Sequence, residues 1–184
     1  MALMHTPLNE LGMKCPDFKL LGLDGKSYQL NDFTNGMPLV VMFICNHCPY
    51  VKAIEDRLIQ LGLDLKKENI HVVGICSNDE VSYPEDSYEN LKKRYLEKNY
   101  SFTYLHDKSQ DVAKSFGAVC TPDFFVFDRD LKLAYRGRLD DSWKEPQKVT
   151  KRELYMAALE LKSDNKFTKD QVSSMGCSIK WIKA

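Results

Sequence analysis

The chain has no excess of either charge, because 26 lysines and arginines are matched by 26 aspartates and glutamates over 184 residues. A balanced chain has no net field to gather polyanions, so bulk electrostatics names neither nucleic acid nor an anionic membrane as a partner. No run approaches the ~20 apolar residues of a membrane span. The opening Met1-Ala2-Leu3-Met4-His5-Thr6-Pro7-Leu8-Asn9-Glu10 has neither the basic start nor the apolar stretch of a secretory signal. The expected address is the cytoplasm. Internal repeats and low-complexity tracts are also missing, so a single domain is expected, able to bury roughly 70% of its unfolded surface. In a reducing compartment the six cysteines are not expected to form a disulfide framework, and a close pair is better read as catalytic or metal-binding. Cys45 and Cys48 are the close pair.

What is present is an alternation of strand and helix through the first two thirds, the pattern of a parallel α/β core. Residues 18–20 and 27–30 flank Asp24-Gly25 and read as a hairpin. Residues 39–44, apolar on both faces, read as a central buried strand. Val51, Ile54, Leu58, Leu61 and Leu65 recur at helical spacing behind Pro49, which suits the first turn of a helix. Strand 71–76, a helix near 88–98, strand 102–105, a short helix 109–116 closed by Gly117, and strands 124–127 and 131–135 follow. A last helix is expected near 150–162. The domain is expected to span 1–163, with 164–184 as a tail that docks on it through its isoleucines and Trp181.

Chemistry concentrates at Cys45-Asn46-His47-Cys48-Pro49, where the apolar strand stops and the helix starts. A free thiol with pKa near ~8.5 is only a few per cent ionised at neutral pH, whereas a helix N-terminus or an imidazolium beside it lowers the pKa to roughly 3.5–7.5. Cys48, just before Pro49, is the better placed nucleophile. The dipole contributes about 0.3–1 kcal/mol against about 1.4 kcal/mol per pKa unit, so His47 or backbone N–H groups must add to it. Cys45, three residues away, can close a disulfide with Cys48 if the turn brings their Cα atoms within roughly 7 Å.

Phe43-Ile44-Cys45-Asn46-His47-Cys48-Pro49-Tyr50, Thr121-Pro122 and the closing Gly176-Cys177-Ser178-Ile179-Lys180-Trp181 resemble the redoxin, alkyl-hydroperoxide-reductase and thiol-specific-antioxidant branch of thioredoxin-like proteins, over nearly the whole chain. The resemblance implies a thioredoxin-like α/β fold, a central mixed sheet flanked by helices, with an N-terminal hairpin and a C-terminal extension. In thioredoxins of the cytochrome-maturation kind the first active cysteine lies ten residues past a Gly-x-Pro, and here Pro38 plus ten is Cys48. On that register Val51 replaces the usual second cysteine. The resemblance further implies a cis Thr121–Pro122 bond against the active cysteines, with Thr121, Pro122, Pro49 and Tyr50 meeting substrate. Cys45 is the first choice to resolve the mixed disulfide, and Cys120 and Cys177 are further candidates. Cys15 and Cys76 read as packing, and Arg136-Gly137-Arg138 with Asp140-Asp141 as a solvated rim.

The function expected is a thiol-disulfide oxidoreductase that needs no cofactor and no metal, acting on a protein or small-molecule disulfide and recharged by an unidentified dithiol reductant. One alternative is a thiol peroxidase that takes peroxide to sulfenic acid; against it, Met42 stands where the Pro-x-x-x-Thr-x-x-Cys signature of peroxiredoxins has threonine. Another is Cu(I) binding by Cys45, Cys48 and His47 or His106, as in copper-assembly proteins of this fold.

Overall fold

The computed structural model describes residues 3–8 and 10–183; residues 1, 2 and 184, the outermost of the expected domain and tail, lie outside it, as does residue 9. In chain order the strands and helices are β1 (Leu3–His5), β2 (Lys19–Gly22), β3 (Ser27–Gln29), β4 (Leu39–Phe43), α1 (Pro49–Lys67), β5 (His71–Cys76), α2 (Tyr88–Glu97), β6 (Thr103–His106), α3 (Asp111–Ser115), β7 (Cys120–Thr121), β8 (Asp123–Phe127), β9 (Leu133–Tyr135), α4 (Glu153–Asp164) and β10 (Met175–Ser178). No helix among the described residues is long and apolar enough to cross a membrane.

Every residue of β4 is buried, which fits a strand covered on both faces. It lies inside a seven-stranded mixed sheet of order β3-β2-β6-β5-β4-β8-β9. β4, β5 and β6 run parallel, whereas β8 returns antiparallel to β4 with Val41 opposite Phe125. Val40 and Met42 point into one core with Val51, Ile54 and Leu58 of α1 and Leu154, Ala157 and Leu161 of α4. Leu39, Val41 and Phe43 point into the other, with Phe116, Phe125 and Phe127. The Asp24-Gly25 turn joins β2 to β3, Gly25 taking the positive φ of +85° that the tight turn demands.

A second sheet, β1-β10-β7, lies outside the sequence reading. The tail docks as a strand: Cys177 pairs with Thr121 on one side and Leu3 on the other. Of the expected anchors Ile179 is buried, while Trp181 and Ile182 are exposed. The reason is that backbone pairing, rather than one large apolar side chain, holds the tail.

The segment expected as a solvated rim is another correction. Arg136 is fully buried, its Nη2 2.9 Å from Asp123 and 2.7 Å from the Gly117 carbonyl, with Glu10 on Nη1 and its guanidinium 4.4 Å over the Phe125 ring. Asp140 is buried on Arg57, and Arg138 is paired with Glu153. Each charge enters the fold with an opposite charge beside it, which offsets desolvation.

Removing Asp123 leaves the fully buried Arg136 with only the half-buried Glu10 as counter-charge. Asp123→Ala is expected to destabilise the fold by about 3–5 kcal/mol, measured by urea unfolding. The double replacement Asp123→Leu with Arg136→Met is expected to be less damaging than Asp123→Ala alone, since no fully buried ion is then stranded and Glu10 still reaches solvent.

Candidate active site

β4 ends at Phe43, the chain makes one turn through residues 44–48, and Pro49 opens α1 with Cys48 as its N-cap residue, φ −71° and ψ 123°. Pro at this position gives up an N–H that no helical carbonyl would have received. The Cys48 side chain supplies no capping bond of its own. Instead the thiol donates to the Thr121 carbonyl at 3.0 Å, and the Thr121–Pro122 bond is cis, the isomer the resemblance implies. Cys45 Sγ lies 3.3 Å from Thr121 Oγ1 and 3.8 Å from His47 Nδ1. Thr121 thus meets both members of the pair, one through its backbone and one through its side chain.

Cys48 is completely buried, yet its pKa falls from 9.0 to about 4. The largest cause is the Cys45 thiol, which hydrogen-bonds to the ionised sulfur. Burial opposes it, and the Cys177 thiol and the N–H groups of Val51 and Cys177 complete the shell. On ionisation the sulfur gives up its bond to the Thr121 carbonyl and becomes an acceptor for this ring of donors. The donors move the other way. Burial, the bond to Cys48 and the charges of Asp86 and Cys76 push Cys45 well above 9.0, and burial followed by the bond to and charge of Cys48 pushes Cys177 to about 12. The shift is down at Cys48 and up at its two neighbours, so Cys48 is the first of the three thiols to ionise.

Asp86, from the Pro84–Asp86 turn, is fully buried behind the motif. It accepts from the Asn46 N–H at 2.7 Å, the His47 N–H at 3.2 Å and Asn78 Nδ2 at 2.8 Å, and its Oδ2 lies 2.6 Å from His47 Nδ1. Burial raises its pKa, but the bonds from His47 and Asn78, the His47 charge and the Asn46 N–H outweigh it, and the net direction is down. His47 stacks on Tyr83 at 4.9 Å, which with Asp86 fixes the imidazole against the turn. Sequence alone shows Asp86 only as one acid in a polar loop, so its role as the clamp of the motif was missed.

Cys45, His47 and Asp86 offer ligand atoms all within 4.8 Å of one another, the one set of this kind among the described residues. Nδ1 of His47 is already engaged by Asp86. His106, the other histidine considered for Cu(I), is on β6 with Nε2 3.7 Å from Glu80, and the structure does not bring it to the pair. Cys120 turns its thiol to the Pro122 carbonyl at 3.5 Å, and burial pushes its pKa far up. Cys15 and Cys76 are buried, and burial raises both. Tyr50 packs on Trp143 at 4.6 Å and with Pro122, Ile54, His5 and Met175 lines a cleft of about 490 Å³ beside β10. Pro49 acts through the helix start rather than through the cleft lining.

Comparison with known proteins agrees with this architecture. Residues 11–136 match the AhpC/TSA family. A solved structure of a conserved protein from Geobacillus kaustophilus superposes with TM-score 0.93 at 42% identity, over 100% of this chain and 98% of that one. A protein from Sinorhizobium meliloti 1021 gives 0.90 at 36% identity, over 98% of both chains. The thiol-disulfide oxidoreductase ResA of Bacillus thuringiensis subsp. konkukian is 23% identical over 124 residues, 67% of each chain. The thioredoxin domain of a thiol-disulfide oxidoreductase from Bacteroides vulgatus shares the fold, with TM-score 0.64 at 19% identity over 83% of this chain and 98% of that one. With a thioredoxin-like sheet, a cysteine at the N-cap position of α1 and a family match over more than half its length, the chain belongs to the AhpC/TSA family of redoxins.

Proposed function

We propose that the protein is a thiol-disulfide oxidoreductase in which Cys48 attacks and Cys45 resolves. The observation that carries this reading is that Thr121, whose bond to Pro122 is cis, meets both Cys48, the N-cap residue of α1, and Cys45, while the Cys48 pKa is lowered to about 4. The Cys48 thiolate attacks one sulfur of a substrate disulfide, the S–S bond breaks, and the departing sulfur leaves as thiolate. Cys45 then loses its proton and attacks the Cys48 sulfur, releasing the second substrate thiolate and leaving a Cys45–Cys48 disulfide. Two electrons have passed to substrate, and an external dithiol returns them. His47 orients the turn through Asp86, and the substrate thiolate released in the first step takes up the Cys45 proton. The thioredoxin-like neighbours and the ResA similarity support disulfide exchange. In the family's peroxide chemistry the same thiolate would meet peroxide, and disulfide mapping with and without peroxide separates the two oxidants.

Cys45→Ser is expected to accumulate a stable mixed disulfide on Cys48, seen by mass spectrometry, with no further turnover. Cys48→Ser should form none. Normal turnover by Cys45→Ser removes Cys45 from the resolving role.

The ultraviolet absorbance of the thiolate should show one step near pH 4 that disappears in Cys48→Ser. Cys45→Ala should move that step upward further than Cys177→Ala, because Cys45 is the larger donor. Between about 4 and 9 the folded chain binds fewer protons at Cys48 than the unfolded chain, so this group's stabilisation is fully present above pH 9 and is lost as pH falls through about 4. Urea unfolding at several pH values should show a shallower rise of stability with pH in Cys48→Ser than in the wild-type chain.

A further inference from the structure

A nucleophile with no exposed surface must be uncovered before a substrate reaches it, and the cover over Cys48 is the chain's own β10. The strand lies between β1 and β7, its backbone antiparallel to Thr121 and Cys120, and it sets the Cys177 thiol and N–H on the Cys48 sulfur. Thr121 is the residue whose carbonyl touches that sulfur. An extended strand in this register therefore presents one cysteine to Cys48 through backbone pairing alone. The fit is narrow at one place. A Cβ at Gly176 would stand 2.1 Å from the Thr121 carbonyl oxygen and 2.6 Å from its carbon, backbone atoms that cannot swing aside. Glycine before the cysteine is a steric condition for occupying this edge.

We propose that β10 is an internal stand-in for substrate, and that the substrate class is an extended polypeptide with a disulfide-bonded cysteine directly preceded by glycine, which displaces β10 and pairs with Thr121 in its place. This rests on the disulfide-exchange reading above and names its substrate. The incoming cysteine sulfur takes the position of Cys177 Sγ, and Cys48 attacks it as already described; Cys177, in the displaced strand, stays reduced.

The strand is built to leave. Its pairing with β7 covers two residues, and β1 on its other side is exposed throughout. The remaining ties are the buried Ile179 side chain, backbone bonds from Thr6 to Ser174, Ile179 to Val119 and Asp79 to Lys180, and a set of polar side-chain contacts. The Ser174 N–H donates to Thr6 Oγ1 at 2.9 Å, Ser174 Oγ donates to the Pro122 carbonyl at 3.0 Å, and Asn78 and Gln110 hold the Lys180 backbone. A short strand in a small sheet outside the main one, paired over two or three residues on each side, opens at lower free energy than the core. The cleft beside β10, lined by Tyr50, Pro122, Trp143 and Met175, gives neighbouring side chains of the incoming peptide an apolar surface.

The test uses the whole chain with Gly176→Val, which cannot seat β10, and Thr6→Val, which removes the hydroxyl that accepts from the Ser174 N–H without adding bulk. Alkylation of Cys48 at neutral pH should accelerate on the order of tenfold or more in Gly176→Val, and less in Thr6→Val, because the rate follows the uncovered population. A synthetic peptide Ser-Met-Gly-Cys-Ser-Ile, its cysteine in disulfide linkage to a chromophoric aryl thiol, should be reduced with a lower KM by both variants than by the wild-type chain. The same peptide with valine in place of glycine should react more slowly with all three. Unchanged alkylation in both variants, or equal rates for the two peptides, overturns the proposal. So does faster alkylation with turnover that stalls at a mixed disulfide, since the tail would then be a resolving arm. Faster alkylation with no reduction of any disulfide by the wild-type chain or a variant supports β10 as the cover and overturns the oxidoreductase reading instead.

Discussion

A buried anion needs donors, and the Cys48 sulfur obtains them by drawing three distant parts of the chain to one point. The turn after β4 brings Cys45, the start of α1 brings the Val51 N–H, and β10 brings the thiol and N–H of Cys177. Without them burial would drive the thiol to stay protonated, as it does at Cys15 and Cys76. The same shell that makes the sulfur nucleophilic also hides it. Activation and occlusion are therefore one arrangement, and access requires that part of the shell be exchanged for substrate.

Behind the thiolate stands a second buried anion with a different task. Asp86 never meets the reacting sulfurs. It spends its oxygens on two successive backbone N–H groups, an imidazole and an amide, and so fixes the turn in which Cys45 and Cys48 are presented. A further buried acid, Asp123, is balanced by Arg136 at the base of β8, directly after the cis Thr121–Pro122 bond. The site is held from both sides by charges that the protein interior tolerates only because they are paired. Rigid supports of this kind leave β10, with its short pairings, as the element free to move.

The apolar run at 39–44 and the helical spacing from Val51 to Leu65 determined the centre of the fold, because a strand buried on both faces and a one-sided helix announce themselves by periodicity. The Cys45–Pro49 motif announced its chemistry in the same way: cysteine before proline at a helix start is a local arrangement, and the structure has Cys48 as the N-cap residue. The Asp24-Gly25 hairpin was equally legible, since its turn is specified by adjacent residues.

Contacts between residues far apart in the chain were decided only in three dimensions. Cys177 lies 129 positions beyond Cys48 in the numbering, and nothing in its neighbours says that it will pair with Thr121, since β10 is short and carries its register in the absence of a side chain at Gly176. Asp86 and Arg136 looked like loop and rim residues because charge in a sequence implies solvent unless its partner is visible, and theirs are 39 and 13 residues away. Sequence therefore fixes what is periodic or adjacent, namely the sheet, the helix start and the nucleophile. Tertiary structure alone fixes which remote donors surround that nucleophile, because hydrogen bonds and steric fit depend on distance in space and leave no period along the chain.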